Sequence, residues 1–420
     1  MRVATRARLS TMMFLEYFIW GAWYVTLGTW LSQSLHFSGQ QVGIAAGATA
    51  VGAMISPFFV SLMTDTLYST EKVLAALHLA GATLLFAASR QTAFGPLYGF
   101  VLLYCFCFMP TLALTNSLAF RQMENPQEEF SFVRVLGTLG WIVAGLTVGS
   151  LGLEATKIPV LLAAGASVVM AVYCLTLPHT PPLSSASRPS LKTVFPPGAV
   201  KMLKRREVAI FALASLLICI PLQFYYAFTN LFLNQIGVKN AASIMTGGQM
   251  SELLCMLFIP WFFRRLGVKW MLVAAMIAWA ARYVLFALGA GGTQVWALWG
   301  GILLHGICYD FFFVTGQIYI DRKAAPQLRA AAQGLITFLT YGVGMFVGSW
   351  VSGYVVEHYT LQVSATGPVY AWHSIWIFAS VCSGVILLLF LVFFSDREGE
   401  LVESDQRGRS RSRLIPQVLQ

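Results

Sequence analysis

Eleven polar or aromatic residues, set in four apolar stretches, have the types and spacings to hold a small polar solute. RVLGTLGW places Arg134, Thr138 and Trp141 at i, i+4 and i+7. LQFYYAFTN places Gln223, Tyr226 and Asn230 at i, i+3 and i+7. GQMSE places Gln249 and Glu252 three apart, and HGICYD places His305 and Tyr309 four apart, with Asp310 one step around. On a helix such spacings put side chains on a common face. A polar face inside an apolar stretch turns toward a neighbour or a wet cavity, because an ionised side chain at mid-bilayer costs about 3 kcal/mol. One such face can be interhelical glue; four of them favour a shared chamber.

The chemistry of that chamber follows from its groups. Gln, Asn, Thr and Tyr offer donors and acceptors without net charge. Trp141, Tyr226 and Tyr309 offer flat faces. A planar molecule with amide-like edges and hydroxyls suits them: a nucleoside base can stack while amides read its edge and polar groups hold the ribose. Arg134 stays positive in any environment, whereas burial favours the neutral form of a carboxyl group. A contact of Arg134 with Asp310 or with Glu252 is expected to offset desolvation. The remaining carboxylate is then free to gain and lose a proton. Glu252 and Asp310 are equal candidates, and a static salt bridge is the alternative.

Other polar positions have plainer readings. Glu16 is expected near the inner end of the first span, paired with Arg6 or Arg8 or facing the cavity. Arg282 is expected to pair or to snorkel, and His78 to satisfy a local hydrogen bond. Trp20, Trp23 and Thr26 can line the cavity or pack.

These faces need apolar helices to carry them. The chain has 420 residues, 57% of them hydrophobic and 10% charged, with mean hydropathy +0.70. So little charge cannot cover a soluble surface of this size. The net charge of +10 lies between apolar runs and at the ends, without a basic stripe or zinc spacing, which excludes a nucleic-acid binder. Seven cysteines, mostly inside apolar runs, read as packing rather than a disulfide framework. A soluble hydrolase is disfavoured by the absence of a nucleophile–base set.

Runs long enough to span a bilayer fall near 10–31, 41–63, 73–89, 96–119, 132–152, 157–177, 207–232, 242–263, 269–289, 294–319, 330–355 and 371–394. Pro110 and Pro221 fall inside two of them, where bends are expected. Arg2, Arg6, Arg8, Lys201, Lys204, Arg205, Arg206, Arg264, Arg265, Lys269, Arg322, Lys323 and Arg329 gather on one side. Both ends therefore face the cytoplasm, as an even number of spans requires. The Pro/Ser-rich PHTPPLSSASRPSLKTVFPP separates six spans from six. The expected organisation is an N-terminal six-helix bundle over 1–177, a cytoplasmic linker over 178–206, a C-terminal six-helix bundle over 207–394 and a cytoplasmic tail over 395–420.

FIWGAWYVTLG, YCFCFMPTLALTNS, VRVLGTLGWI, QMSELL, YDFFFVTGQIYID and RAAAQGL occur in the order of the characteristic segments of the bacterial nucleoside:proton symporters. The sequence resembles that family of the major facilitator superfamily over nearly its whole length. The resemblance implies an all-α polytopic membrane fold of twelve transmembrane helices in two six-helix halves. It places Arg134 and Thr138 in the nucleoside site, with Trp141 nearby, Gln223 on the seventh span, the Gln249–Glu252 pair, and the Tyr309–Asp310 pair on the tenth. Two positions depart from a relative: Tyr226 stands where it has asparagine, and His305 where it has tyrosine. Asn230 is a further cavity candidate with less support.

The expected function is import of purine or pyrimidine nucleosides with protons, by alternating access, in the bacterial inner membrane. No enzyme activity, cofactor or metal is expected; the partners are nucleoside, protons and lipid, with the monomer as working unit. A carrier for a sugar, glycoside or other small polar solute is the rival reading, and a non-transporting membrane sensor of such a ligand is another.

Overall fold

The computed structural model describes residues 3–64, 68–182, 195–365 and 367–395. Among them the chain makes twelve helical passes. The first half comprises α1 (Val3–Trp23), α2 (Gly39–Thr64), α3 (Thr70–Ala88), α4 (Phe94–Arg121), α5 (Pro126–Ser150) and α6 (Ile158–Cys174). The pass of α1 continues through a turn into Leu27–Thr29 and a π-helical end, Trp30–Ser34. The second half begins with α7 (Arg206–Gln235). A 49-residue helix, Ala241–Gly289, is broken at Gly267, whose φ of 68° an L side chain rarely adopts. Its arms are α8 (241–266) and α9 (268–289). Then come α10 (Val295–Lys323), α11 (Pro326–His358) and α12 (Trp372–Phe393). Residues 183–194 of the linker and the tail from 396 lie outside the described residues.

The sequence explains these elements locally. Among the described residues eight helical segments are long and apolar enough to cross a membrane, where a helix satisfies its backbone internally. Pro126 and Pro159 sit in the first turn of α5 and α6, where no helical N–H is lost. Pro110 and Pro221 lie inside α4 and α7. Two further π-helical stretches interrupt the second half: Asp310–Val314 in α10 and Phe338–Gly344 in α11. Such stretches add a residue to a turn and re-aim the side chains around it.

Within the first half α1 packs on α5 and α6, α2 on α4, and α3 on α4 and α6; within the second, α7 packs on α11 and α12, and α8 and α9 on α10 and α12. The halves meet through α2 on α11 and α5 on α8. Glycines make that meeting close. A Cβ on Gly43 would strike the Ser349 carbonyl and sit 2.6 Å from the Gly353 Cα, and one on Gly149 would strike the Ser243 backbone. Hydrogen bonds add to it: Thr29 Oγ1 donates to Asn230 Oδ1 at 2.6 Å, Ser243 Oγ to the Leu146 carbonyl at 3.3 Å, and Gln40 N–H to Glu357 at 3.4 Å. An antiparallel hairpin of β1 (Thr360–Ser364) and β2 (Gly367–Tyr370) lies over the same end, with Tyr370 reaching Ser32 at 3.5 Å. All these contacts are on the side opposite the termini, which is the periplasmic side. The side-chain hydrogen bonds named between the halves gather at the periplasmic end.

Candidate functional site

One wall of the site comes from α1 and α5. Their close approach rests on Gly140, where a Cβ would meet the Phe14 carbonyl, and on Gly21, where it would lie 3.0 Å from the Trp141 Cα. This fixes an aromatic surface. Arg134 spreads its guanidinium 4.1 Å above the Tyr17 ring, and Trp141 meets Trp20 edge to face at 5.4 Å. Thr138, one turn along from Arg134, is half-buried and makes no side-chain hydrogen bond among the described residues.

The opposite wall comes from α7, α8, α10 and α11. Ser251 ties α8 to α10: its hydroxyl donates to the Gly248 carbonyl at 2.8 Å and accepts the Gly306 N–H at 2.9 Å. That bond sets His305 against Glu252, with Nε2 and Oε2 at 3.8 Å. His305 stacks on Tyr225 at 5.0 Å and on Tyr309 at 5.7 Å, and Tyr226 meets its edge at 6.3 Å. The Tyr309 and Tyr341 hydroxyls bond to each other; both residues sit at or within π-helical stretches. Asp310 begins one such stretch and is 0% exposed, and neither carboxyl oxygen has a hydrogen-bond partner.

The walls converge. Trp141, Tyr226, Gln249 and Thr26 line one cavity between the halves, reduced to about 10 Å³, room for a single water. Glu252 stands three residues beyond Gln249 on α8, 3.8 Å from His305, which stacks on Tyr309. Glu252 is half-buried and lies within the electrostatic reach of Arg134 and Asp310.

Several expectations are corrected. No carboxylate comes within 4.0 Å of Arg134 among the described residues; its partner is the Tyr17 ring. Asn230 accepts from Thr29 Oγ1 at 2.6 Å in the periplasmic closure. Gln223 is buried beside α11 with its amide unpartnered, against Gly348. Glu16 does not reach Arg6 or Arg8: it receives Thr111 Oγ1 at 2.6 Å and lies 3.0 Å from His78 Nε2, a buried cluster inside the first half. Arg282 does not snorkel. It is 0% exposed, lies 4.1 Å over the Tyr225 ring, and donates Nε–H to the Gly301 carbonyl at 2.9 Å. Sequence spacing missed Tyr17, Tyr225 and Tyr341, because an aromatic in a span reads as packing; only its distance from a charged group marks it out.

Comparison with known proteins points one way. A sequence model of the family described as "Nucleoside H+ symporter" matches residues 3–399. YegT of Escherichia coli (strain K12) is 40% identical over 94% of this chain and 95% of its own length. The xanthosine permease of the same organism is 33% identical over 92% and 94%. The crystal structure of the nucleoside transporter NupG superimposes with a TM-score of 0.85 at 29% identity, over 94% of this chain and all of that one.

Proposed function

This chain belongs to the nucleoside:proton symporter family of the major facilitator superfamily, and on that footing we propose which of its groups hold the nucleoside and which hold the proton. The protein is a multi-pass transporter of the bacterial inner membrane that carries nucleosides by alternating access coupled to protons. The base stacks between Trp141 and Tyr226, with Gln249 reading its edge. Arg134 and Thr138 on one wall and Tyr309 on the other hold its polar groups. Gln223 and Asn230 contribute from behind the chamber and from the periplasmic closure. Proton uptake falls to Glu252 and Asp310, with His305 beside Glu252. The working unit is the monomer, since each half supplies one wall.

One observation carries this reading: the Asp310 carboxyl is wholly buried with no hydrogen-bond partner, in reach of a second carboxyl on Glu252. Two such groups together favour holding at least one proton. From the periplasm, nucleoside and proton enter the outward-facing carrier. Neutralising a carboxyl lowers the cost of closing the halves around it. Opening toward the cytoplasm rehydrates the site and releases both.

Radiolabelled uridine and adenosine uptake into proteoliposomes tests this, with pH recorded alongside. Asp310→Asn or Glu252→Gln is expected to abolish or uncouple uptake. Normal coupled uptake in both variants overturns the assignment of the proton. Competition by maltose but not by nucleosides would overturn the substrate.

A further inference from the structure

Arg282 presents a puzzle that the transport site does not absorb. It lies in α9, 0% exposed, and neither Nη1 nor Nη2 has a hydrogen-bond partner. Its Nε donates to the Gly301 carbonyl at 2.9 Å. No carboxylate lies within 4.0 Å among the described residues, although the Asp310 and Glu252 carboxyls occupy the same half. A guanidinium cannot shed its proton, so the core of this half holds a permanent positive charge. The removal of such a group from water costs several kcal/mol, and packing alone does not require it. Its geometry suggests a use. The guanidinium carbon sits 4.1 Å from the centre of the Tyr225 ring, and that ring stacks on His305 at 5.0 Å with 21° between planes. His305 in turn lies 3.8 Å from Glu252.

Arg282, Tyr225, His305 and Glu252 thus form an unbroken file from a fixed charge to a carboxyl in the chamber. The titratable groups around the imidazole are Tyr225 and Tyr226 from α7, Glu252 from α8, Arg282 from α9, and Tyr309 and Asp310 from its own α10. The Cys255 thiol lies against Gly306, the residue next to His305. Beside a permanent positive charge in a dry setting, a second positive charge is disfavoured.

We infer that Arg282 is a positioning residue for proton coupling: its fixed charge, acting across the Tyr225 ring, keeps His305 neutral, so that the transported proton resides on the Glu252 carboxyl. The inference rests on the proposed role of Glu252 above. Burial of the imidazole already disfavours its charged form; removing the Arg282 charge lifts the second restraint, so the His305–Glu252 pair would hold its proton to higher pH.

The experiment is the pH profile of uridine uptake in proteoliposomes, read as the external pH of half-maximal rate. Arg282→Met is expected to move that midpoint alkaline by roughly one pH unit or more. Arg282→Lys, which keeps the charge, leaves it in place. Arg282→Met combined with His305→Gln shows no alkaline shift, because the competing base is gone. A midpoint unmoved in Arg282→Met, or moved equally with and without His305, overturns the inference. If Arg282→Met fails to fold by size-exclusion and thermal unfolding, His305→Gln alone decides. It is expected to weaken substrate affinity without moving the midpoint; a shift shows that His305 titrates during transport and overturns the inference. Wild-type uptake indifferent to a proton gradient would instead defeat the underlying coupling, a separate outcome.

Discussion

Two contacts set what single side chains are expected to do. Arg134 lies flat over Tyr17 at 4.1 Å, an arrangement that needs the planar guanidinium rather than a point charge. Arg134→Lys keeps the charge and loses that face, so the KM for nucleoside should rise about tenfold, the equivalent of ~1.4 kcal/mol, with little change in the maximal rate; tracer uptake against concentration measures both. Tyr341 meets Tyr309 hydroxyl to hydroxyl. Tyr341→Phe removes one neutral hydrogen bond, worth about 1 kcal/mol, and is expected to raise KM a few-fold in the same assay. Helical spacing made Arg134, Gln249, Glu252 and Tyr309 legible, because polar groups in an apolar stretch are conspicuous. It did not make Arg134's partner legible. A cation in a span has carboxylates and rings equally open to it, and which one lies nearer depends on how α5 sits on α1, a matter of Gly140 and Phe14 rather than of charge.

Elements act as gates through the same kind of local fact. Glu154, in the loop after α5, accepts the Ala242 N–H at the start of α8 and is only 4% exposed. It therefore ties the halves together at the periplasmic end. Burial pushes its carboxyl above the usual carboxylate range, while the Ala242 N–H pulls it back in part. The sign follows from linkage. The closed end binds the proton more tightly than an open, hydrated one, so acidification through this raised range favours periplasmic closure, and rising pH weakens it. Spin labels at Leu151 and Lys239 should draw together as pH falls, and Glu154→Gln should stay drawn together at all pH values; a pH response surviving in that variant would exclude Glu154 as its source. Gly43 acts on the same equilibrium by shape. Gly43→Leu cannot fit against Ser349 and Gly353, so the label pair should separate and uptake should fall, while thermal stability changes less than uptake does. Among the elements themselves, twelve apolar runs were readable from hydropathy to within a few residues. The π-helical stretches at Asp310–Val314 and Phe338–Gly344 were not, since one added residue per turn leaves composition untouched. The β1–β2 hairpin was also missed, because TLQVS and GPVY are too short to outweigh a loop reading.

For the whole molecule, the decisive quantity is the charge that crosses with each turnover. The halves join at the periplasmic end through Thr29–Asn230, Ser243–Leu146 and Gln40–Glu357. A nucleoside is neutral at pH 7, and one accompanying proton makes the loaded step carry a single positive charge. Moving one charge through 100 mV is worth about 2.3 kcal/mol, roughly a 50-fold accumulation ratio. Uptake into proteoliposomes with equal pH on both sides should therefore be driven by an inside-negative potassium diffusion potential alone, and should stop when the potential is clamped to zero. The same potential should leave uptake unaffected in any variant that binds nucleoside but has lost its proton, which Glu252→Gln or Asp310→Asn is expected to supply. A wild-type protein whose accumulation ignores the potential would be moving nucleoside without net charge, and the buried, unpartnered Asp310 would then need an explanation other than coupling.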